Sequence, residues 1–161
     1  MDASLTGSAS ASSAIPAPGA AYVEGQFVAF RCGQTNYGIP IMTVREIRSW
    51  QPTTGIPGRL NSSRGVLDIR GTVVEVFDLN ALLGGPETEP GAGSVVLVLA
   101  LDDRVVGLLV DAVSDIIQTS TAEMMPVPAN YGGSGWPARV TAMVQHEGGL
   151  IGILDLDRIF T

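Results

Sequence analysis

Cysteine occurs once in this chain, at Cys32, and histidine once, at His146. A single cysteine excludes an internal disulfide and any cysteine-cluster metal site. Charge is sparse too: 16% of the residues are charged against 45% hydrophobic, and the basic residues are nine arginines with no lysine. With a net charge of −7, neither nucleic acid nor an anionic membrane is a natural target. Long apolar runs are missing. The longest, VVLVLAL at 95–101, falls well short of the ~20 residues that span a bilayer. The opening MDASLTGSAS has neither the basic nor the apolar region of a secretory signal, so a cytoplasmic location is expected. With so little charge and a mean hydropathy of +0.30, some apolar surface is expected to face a partner.

What is present is mostly β-structure. Residues 1–22, largely Ala, Ser, Gly and Pro, read as a disordered tail, leaving a single domain over 23–161. FVAFRC at 27–32 is strand-like, and a turn at 33–36 leads into a second strand at Tyr37. Ile41, Val44 and Ile47 recur every third residue, which predicts a helical turn running into a strand. After a Pro/Gly/Thr/Ser linker at 51–63, the stretch RGVLDIRGTVVEVFDLNALL (64–83) holds two β-branched runs around Arg70-Gly71-Thr72. It reads as a hairpin followed by a short helix that Asp78 is placed to cap. Residues 84–94 break the pattern. The second half then offers strands at 95–101, 104–111, 113–117, 140–145 and 150–155, a helical start at 121–123, and a Gly-rich loop at 130–138.

The halves resemble each other. Val44, Glu46 and Ile47 match Val113, Asp115 and Ile116 at an offset of 69, as Gly38 matches Gly107. Gly71, Asp78 and Leu79 match Gly148, Asp155 and Leu156 at an offset of 77. Two copies of one five-stranded unit follow, each too small to hold a robust core alone. Strands apolar on both faces, such as VVLVLAL, suit a layer shared between copies. The expectation is an all-β fold of two small barrels, the first at about 26–86 and the second at about 94–161, around a common hydrophobic core.

Little suggests catalysis. Cys32 lies in an apolar strand, where cysteine is normally a small buried hydrophobe, and His146 falls at a hairpin turn. Asp68, Asp78, Asp111, Asp115, Asp155 and Asp157 can be grouped as an acid/base or metal set, but Asp78 and Asp155 read as repeat-equivalent helix caps. NYGGSG at 130–135 lacks the lysine and following helix of a phosphate-binding loop. No enzyme, cofactor or metal is expected.

Three motifs carry a family resemblance: GQFVAFRCGQTNYGIPIMTVREI, RGVLDIRGTVVEVFDLNALLG and VVGLLVDAVSDII. Together they resemble the CheW-type coupling proteins of bacterial chemotaxis, over about residues 25–160. The resemblance implies two SH3-like five-stranded barrels around a shared core. It also implies a non-enzymatic adaptor that binds the regulatory domain of the histidine kinase CheA and the cytoplasmic hairpin tip of chemoreceptors. With no phosphotransfer, receiver or ATPase sequence, the chain is similar to a stand-alone coupling protein. The receptor-contacting positions carry over to Val44 and Glu46 in VREI, Gly65 in RGV and Arg70 in IRG. Arg70 suits hydrogen bonding to a partner carboxylate or carbonyl. The alternatives at these positions are an internal Glu46–Arg70 ion pair bracing the hairpin and ordinary core packing of Val44. Asp68 stands where the family usually has Asn, the approach IPGRLNSSRG is more polar than usual, and no long C-terminal helix follows. These departures leave open a chemosensory pathway serving pilus motility or second-messenger control. The rival classes are a small-ligand-binding double barrel and a hydrolase using His146.

Overall fold

Strands alternate with tight turns through nearly all of the computed structural model, which describes residues 25–55, 62–119, 124–127 and 139–160. The tail expected at 1–22, the helical start at 121–123 and the Gly-rich loop at 130–138 lie outside the described residues. Strands β1 (Gly25–Cys32) and β2 (Thr35–Pro40) form a hairpin, and a single 3-10 turn (Ile41–Thr43) leads into β3 (Val44–Ser49). The threefold apolar spacing at 41, 44 and 47 therefore resolves into one helical turn and a strand. Strands β4 (Ser63–Ile69) and β5 (Thr72–Asp78) form the second hairpin, followed by the short helix α1 (Leu79–Leu82). The second half supplies β6 (Val95–Ala100), β7 (Val105–Val110), β8 (Ala112–Thr119), β9 (Met124–Met125), β10 (Val140–His146), β11 (Gly149–Leu154) and α2 (Leu156–Ile159).

Both helices begin as the sequence predicts. The Asp78 carboxylate accepts from the Asn80 backbone N–H at 3.1 Å, and Asp155 accepts from Asp157 at 3.1 Å, satisfying donors that a first helical turn leaves unpaired. Asp78 does more. Fully buried, it also accepts from the Thr88 N–H at 2.6 Å and the Thr88 hydroxyl at 2.8 Å, tying the 84–94 connection to the body.

The strands assemble as two sheets, ordered β8-β1-β2-β11-β10-β9 and β3-β6-β7-β5-β4. The expected division into consecutive barrels, about 26–86 and 94–161, is not how these sheets are built. In repeat terms β1–β5 correspond to β6, β7, β8, β10 and β11, so each sheet takes two strands from one copy and three from the other, with the two-residue β9 added at the edge of the first sheet. The reason lies in burial. Hairpins β1–β2 and β6–β7 carry runs of consecutive buried residues, Phe27–Phe30 and Val106–Val110 among them, so they need cover on both faces. Exchanging them between copies supplies it.

Three apolar clusters result. Leu67, Ile69, Val74, Val76, Val96, Val98 and Leu109 fill the interior of the first barrel (β3 to β7 set). Phe27, Ala29, Ile117, Ala142, Val144, Ile151 and Ile153 fill the second. A larger cluster, including Phe30, Ile39, Leu79, Leu97, Leu99, Leu108 and Leu154, lies between them and is drawn from both halves. The two exchanged hairpins dock by parallel pairing, β2 on β11 and β7 on β5, and a glycine sits at each junction. A Cβ on Gly38 would lie 3.0 Å from Ile153 Cδ1, and one on Gly107 would lie 2.9 Å from Val96 Cγ1.

Candidate functional site

Burial alternates along β3, where Val44, Glu46 and Arg48 are partly buried and Arg45, Ile47 and Ser49 exposed. A register shift between Val44 and Glu46, opposite Leu99 and Val98 of β6, inserts Arg45 as an extra residue. Such a bulge bends the strand and re-aims the side chains beside it. Glu46 is thereby turned toward the β4–β5 hairpin. Its Oε1 is paired with Arg70 Nη2, and its Oε2 accepts from Arg48 Nη1 at 2.8 Å. These two guanidinium groups, Arg48 first, hold the Glu46 carboxyl below the usual carboxylate range.

Arg70 occupies the first central position of a two-residue turn and has φ 51°, with Gly71 at φ 87°. Positive φ at both positions is the signature of a type I′ hairpin, whose twist matches that of the flanking strands. A non-glycine residue there is uncommon. The turn is braced by Asp68, whose Oδ1 accepts from the Gly71 N–H at 2.8 Å. Asp68 thus caps the turn that carries Arg70. The Arg70 side chain is 73% exposed while Glu46 is only 20% exposed, so the pair sits as a guanidinium on the surface over a sheltered carboxylate. Because β3 and β4 are the two ends of their sheet, this contact also closes the first barrel. Arg64 adds a second closure, with its guanidinium 6.0 Å from the Trp50 ring centroid.

Gly65 answers to the backbone. It has φ 103° and follows a bulge between Ser63 and Gly65. A Cβ there would run into the Thr54 carbonyl oxygen and lie 2.7 Å from its carbonyl carbon. Thr54 is held in place by paired backbone hydrogen bonds with Val66, at 3.0 and 2.8 Å. Val44 packs against the central cluster. The four sequence-predicted residues therefore do not form one knot. Glu46 and Arg70 touch, Val44 is two residues before Glu46, and Gly65 lies five residues before Arg70, about 16 Å away along an extended strand.

Arg48 and Thr54 are not among the residues the sequence singles out, and Asp68 stands out there only as a departure beside Arg70, not as the brace of its turn. Arg48 had a signal, since residues two apart share one face of a strand and Glu46 and Arg48 carry opposite charges. Thr54 had none, because its contact depends on where an irregular segment returns to β4. Where β1 begins and the chain crosses from β2 to β3, an open groove of about 730 Å³ is lined by Phe27, Ile41, Met42, Ile153 and Leu156 among others. Met42 on its edge is 89% exposed.

The candidate catalytic groups are separated by the fold. Cys32 is buried in the central cluster, and burial, aided by the nearby Asp111 and Asp78 carboxylates, pushes its thiol up to about 12. His146 instead lies beside Asp115 and Glu147. Asp111 serves the β1–β2 turn, accepting from the Gly33 N–H at 2.8 Å. No helix among the described residues is long and apolar enough to cross a membrane.

Interlocked barrels with filled interiors define the double SH3-like class of β fold. Residues 26–161 match the CheW-like domain family, and the chain belongs to that family. It is 37% identical to the chemotaxis protein CheW of Rhizobium meliloti over 84% of this chain and 86% of that one. It is 42% identical to the probable chemotaxis protein CheW of Rhizobium etli over 64% of this chain and 66% of that one. Among solved structures, the scaffolding protein TtCheW of Thermoanaerobacter tengcongensis superposes with a TM-score of 0.76 at 23% identity, covering 88% of this chain and 90% of that one. The chain is a chemotaxis adaptor.

Proposed function

We infer that this protein is a non-enzymatic, cytoplasmic coupling protein that joins chemoreceptors to the histidine kinase CheA. The observation that carries this reading is membership of the CheW-like domain family over 26–161, with motifs running through both barrels. The receptor-facing surface is assigned to Val44, Glu46 and Arg70, with Gly65 shaping the strand that leads to the Arg70 turn. A receptor tip is a helical hairpin, and helices dock through an apolar face flanked by polar contacts. Arg70 offers outward-facing donors suited to a partner carboxylate or carbonyl, and Glu46 below it fixes the guanidinium and compensates its charge.

The experiment is calorimetric titration of the full chain with a receptor cytoplasmic fragment and, separately, with the CheA regulatory domain. Binding to both is expected. A folded protein that binds neither refutes the reading. The side-chain-filled barrel interiors disfavour the small-ligand alternative.

A further inference from the structure

The internal repeat places two equivalent closures in the molecule, and they differ in charge. In the first barrel, Glu46 of β3 meets Arg70 of the β4–β5 turn. The equivalent residues of the second barrel are Asp115 on β8 (46 + 69) and Glu147 in the β10–β11 turn (70 + 77). The backbone is conserved between copies: Glu147 has φ 50° and Gly148 φ 80°, matching Arg70 and Gly71. Beside Asp115, β8 carries the corresponding bulge, with register shifting between Ala29 and Phe30. An opposite-charge pair in one barrel is thus a like-charge pair in the other, with no arginine at the equivalent turn position.

His146 fills the gap only partly. Its Nε2 lies 3.4 Å from Asp115 Oδ2 and 3.7 Å from Glu147 Oε2. Yet Nε2 is shielded from solvent and makes no hydrogen bond to either. The three donor atoms lie within 4.8 Å of one another. They face a small cavity of about 250 Å³ to which Asn36 and Ser114 also contribute. Asp115 is oriented from behind, its Oδ1 accepting from the Ile116 N–H at 2.8 Å, as the carboxylate ligands of metal sites usually are.

The geometry points to a divalent metal site formed by Asp115, His146 and Glu147, of the zinc(II) type. Ligands at about 2.0–2.2 Å from a tetrahedral zinc sit about 3.3–3.6 Å apart, a range that holds the 3.4 Å His146–Asp115 separation and lies about 0.1 Å short of the 3.7 Å His146–Glu147 one. One imidazole with two carboxylates suits a borderline first-row ion better than magnesium or calcium, which prefer all-oxygen shells. Two carboxylates offset the ion's charge, and the fourth position is open to water. Held there, the ion would join β8 to the β10–β11 turn, closing the second barrel as Arg70 closes the first. The proposal stands on this geometry alone and does not depend on the adaptor reading.

The test uses the full chain without a histidine tag, stripped with chelator. His146 is its only histidine, so the imidazole proton signals in NMR report on this one residue. Addition of one equivalent of Zn²⁺ is expected to shift these signals, Co²⁺ to displace or broaden them, and Mg²⁺ to do neither. Zn²⁺ is also expected to raise the thermal midpoint, because a ligand bound only by the native state stabilises it. Asp115→Asn, Glu147→Gln and His146→Gln should each weaken Zn²⁺ binding by at least about tenfold. Wild-type signals unmoved by excess Zn²⁺, or equal Zn²⁺ affinity in folded His146→Gln, overturns the proposal. Should the variants fail to fold, the wild-type comparison of Zn²⁺ with Mg²⁺ decides alone.

Discussion

Replacing Gly65 by alanine separates a residue that shapes the backbone from one that touches a partner. The added Cβ would meet the Thr54 carbonyl, 2.7 Å from its carbon and 3.1 Å from Gly55 Cα. Flexible side chains yield to such a clash, but this neighbour is backbone. Thr54 moves only by giving up its two hydrogen bonds with Val66. The φ of 103° adds a conformational cost of about 1–3 kcal/mol for a residue with a Cβ, and overpacking costs about 1–3 kcal/mol more. A loss of about 3 kcal/mol is expected, a large share of the 5–15 kcal/mol that typically stabilises a domain. In urea, with a slope of about 1.5 kcal/mol per M, the midpoint should fall by about 2 M. The assay is equilibrium urea unfolding followed by tryptophan fluorescence and circular dichroism, with receptor-fragment binding measured on the protein that remains folded. A midpoint within about 0.3 M of wild type, which is about 0.5 kcal/mol, refutes the steric reasoning. Were binding lost at the same time, Gly65 would be a contact residue.

Arg70→Glu should abolish receptor-fragment binding while costing less than about 1 kcal/mol in urea unfolding, since the pair is largely exposed on the arginine side; unfolding of that variant would instead assign Arg70 to bracing. Because the Glu46 carboxyl is depressed by Arg48 and Arg70, its part in this closure is complete above its ordinary value near 4.3. That part is lost as pH falls through the lower native value, and a Glu46→Gln variant should lose this acid dependence in binding titrations. Cys32, with a native value of about 12, should resist Ellman's reagent until the protein is unfolded; prompt reaction in the native state contradicts its burial. Since the unfolded thiol titrates near 8.5, stability should be intact below about pH 8.5 and decline above it by up to about 1.4 kcal/mol per pH unit. Cys32→Ala should lack that component of the slope. A fragment of residues 25–90 should show no cooperative thermal unfolding, because β1–β2 would lack β8 and β11 while β3 and β5 would lack β6 and β7; a sharp transition would show that one repeat folds alone.

How far the sequence carried the fold is plainest at the repeat. Spacing alone gave the strands other than β9, the capped helices after Asp78 and Asp155, and the presence of two copies with a shared apolar layer. It did not give the exchange of β1–β2 with β6–β7. Local propensity and periodicity describe which residues form a hairpin, and they are silent on which edge it joins. The clue was present in the doubly buried runs at 27–30 and 106–110, since a strand apolar on both faces cannot sit on the outside of a small barrel. Site residues were legible in proportion to how local their contacts are. The Arg70 turn follows from Arg70-Gly71 between two β-branched runs. The Glu46–Arg70 pair spans 24 positions and depends on sheet curvature, so sequence alone leaves it as one of two alternatives.

The exchange changes what the repeat means for function. Equivalent turns in the two copies have the same backbone, down to positive φ at Arg70 and Glu147, so whatever differs between them is not required by the turn itself. Scaffold positions recur as Gly71 and Gly148, Asp78 and Asp155, and Leu79 and Leu156. The charge at the turn does not recur. In the first barrel an arginine stands 73% exposed over a carboxylate, a cationic knob with its counter-charge beneath it. In the second barrel a glutamate faces an aspartate across the sole histidine, and the surface there is acidic. A molecule whose two ends share a backbone and differ in sign can present chemically distinct faces to two partners without two different folds. The two closures of this molecule thus carry unlike charge on one backbone.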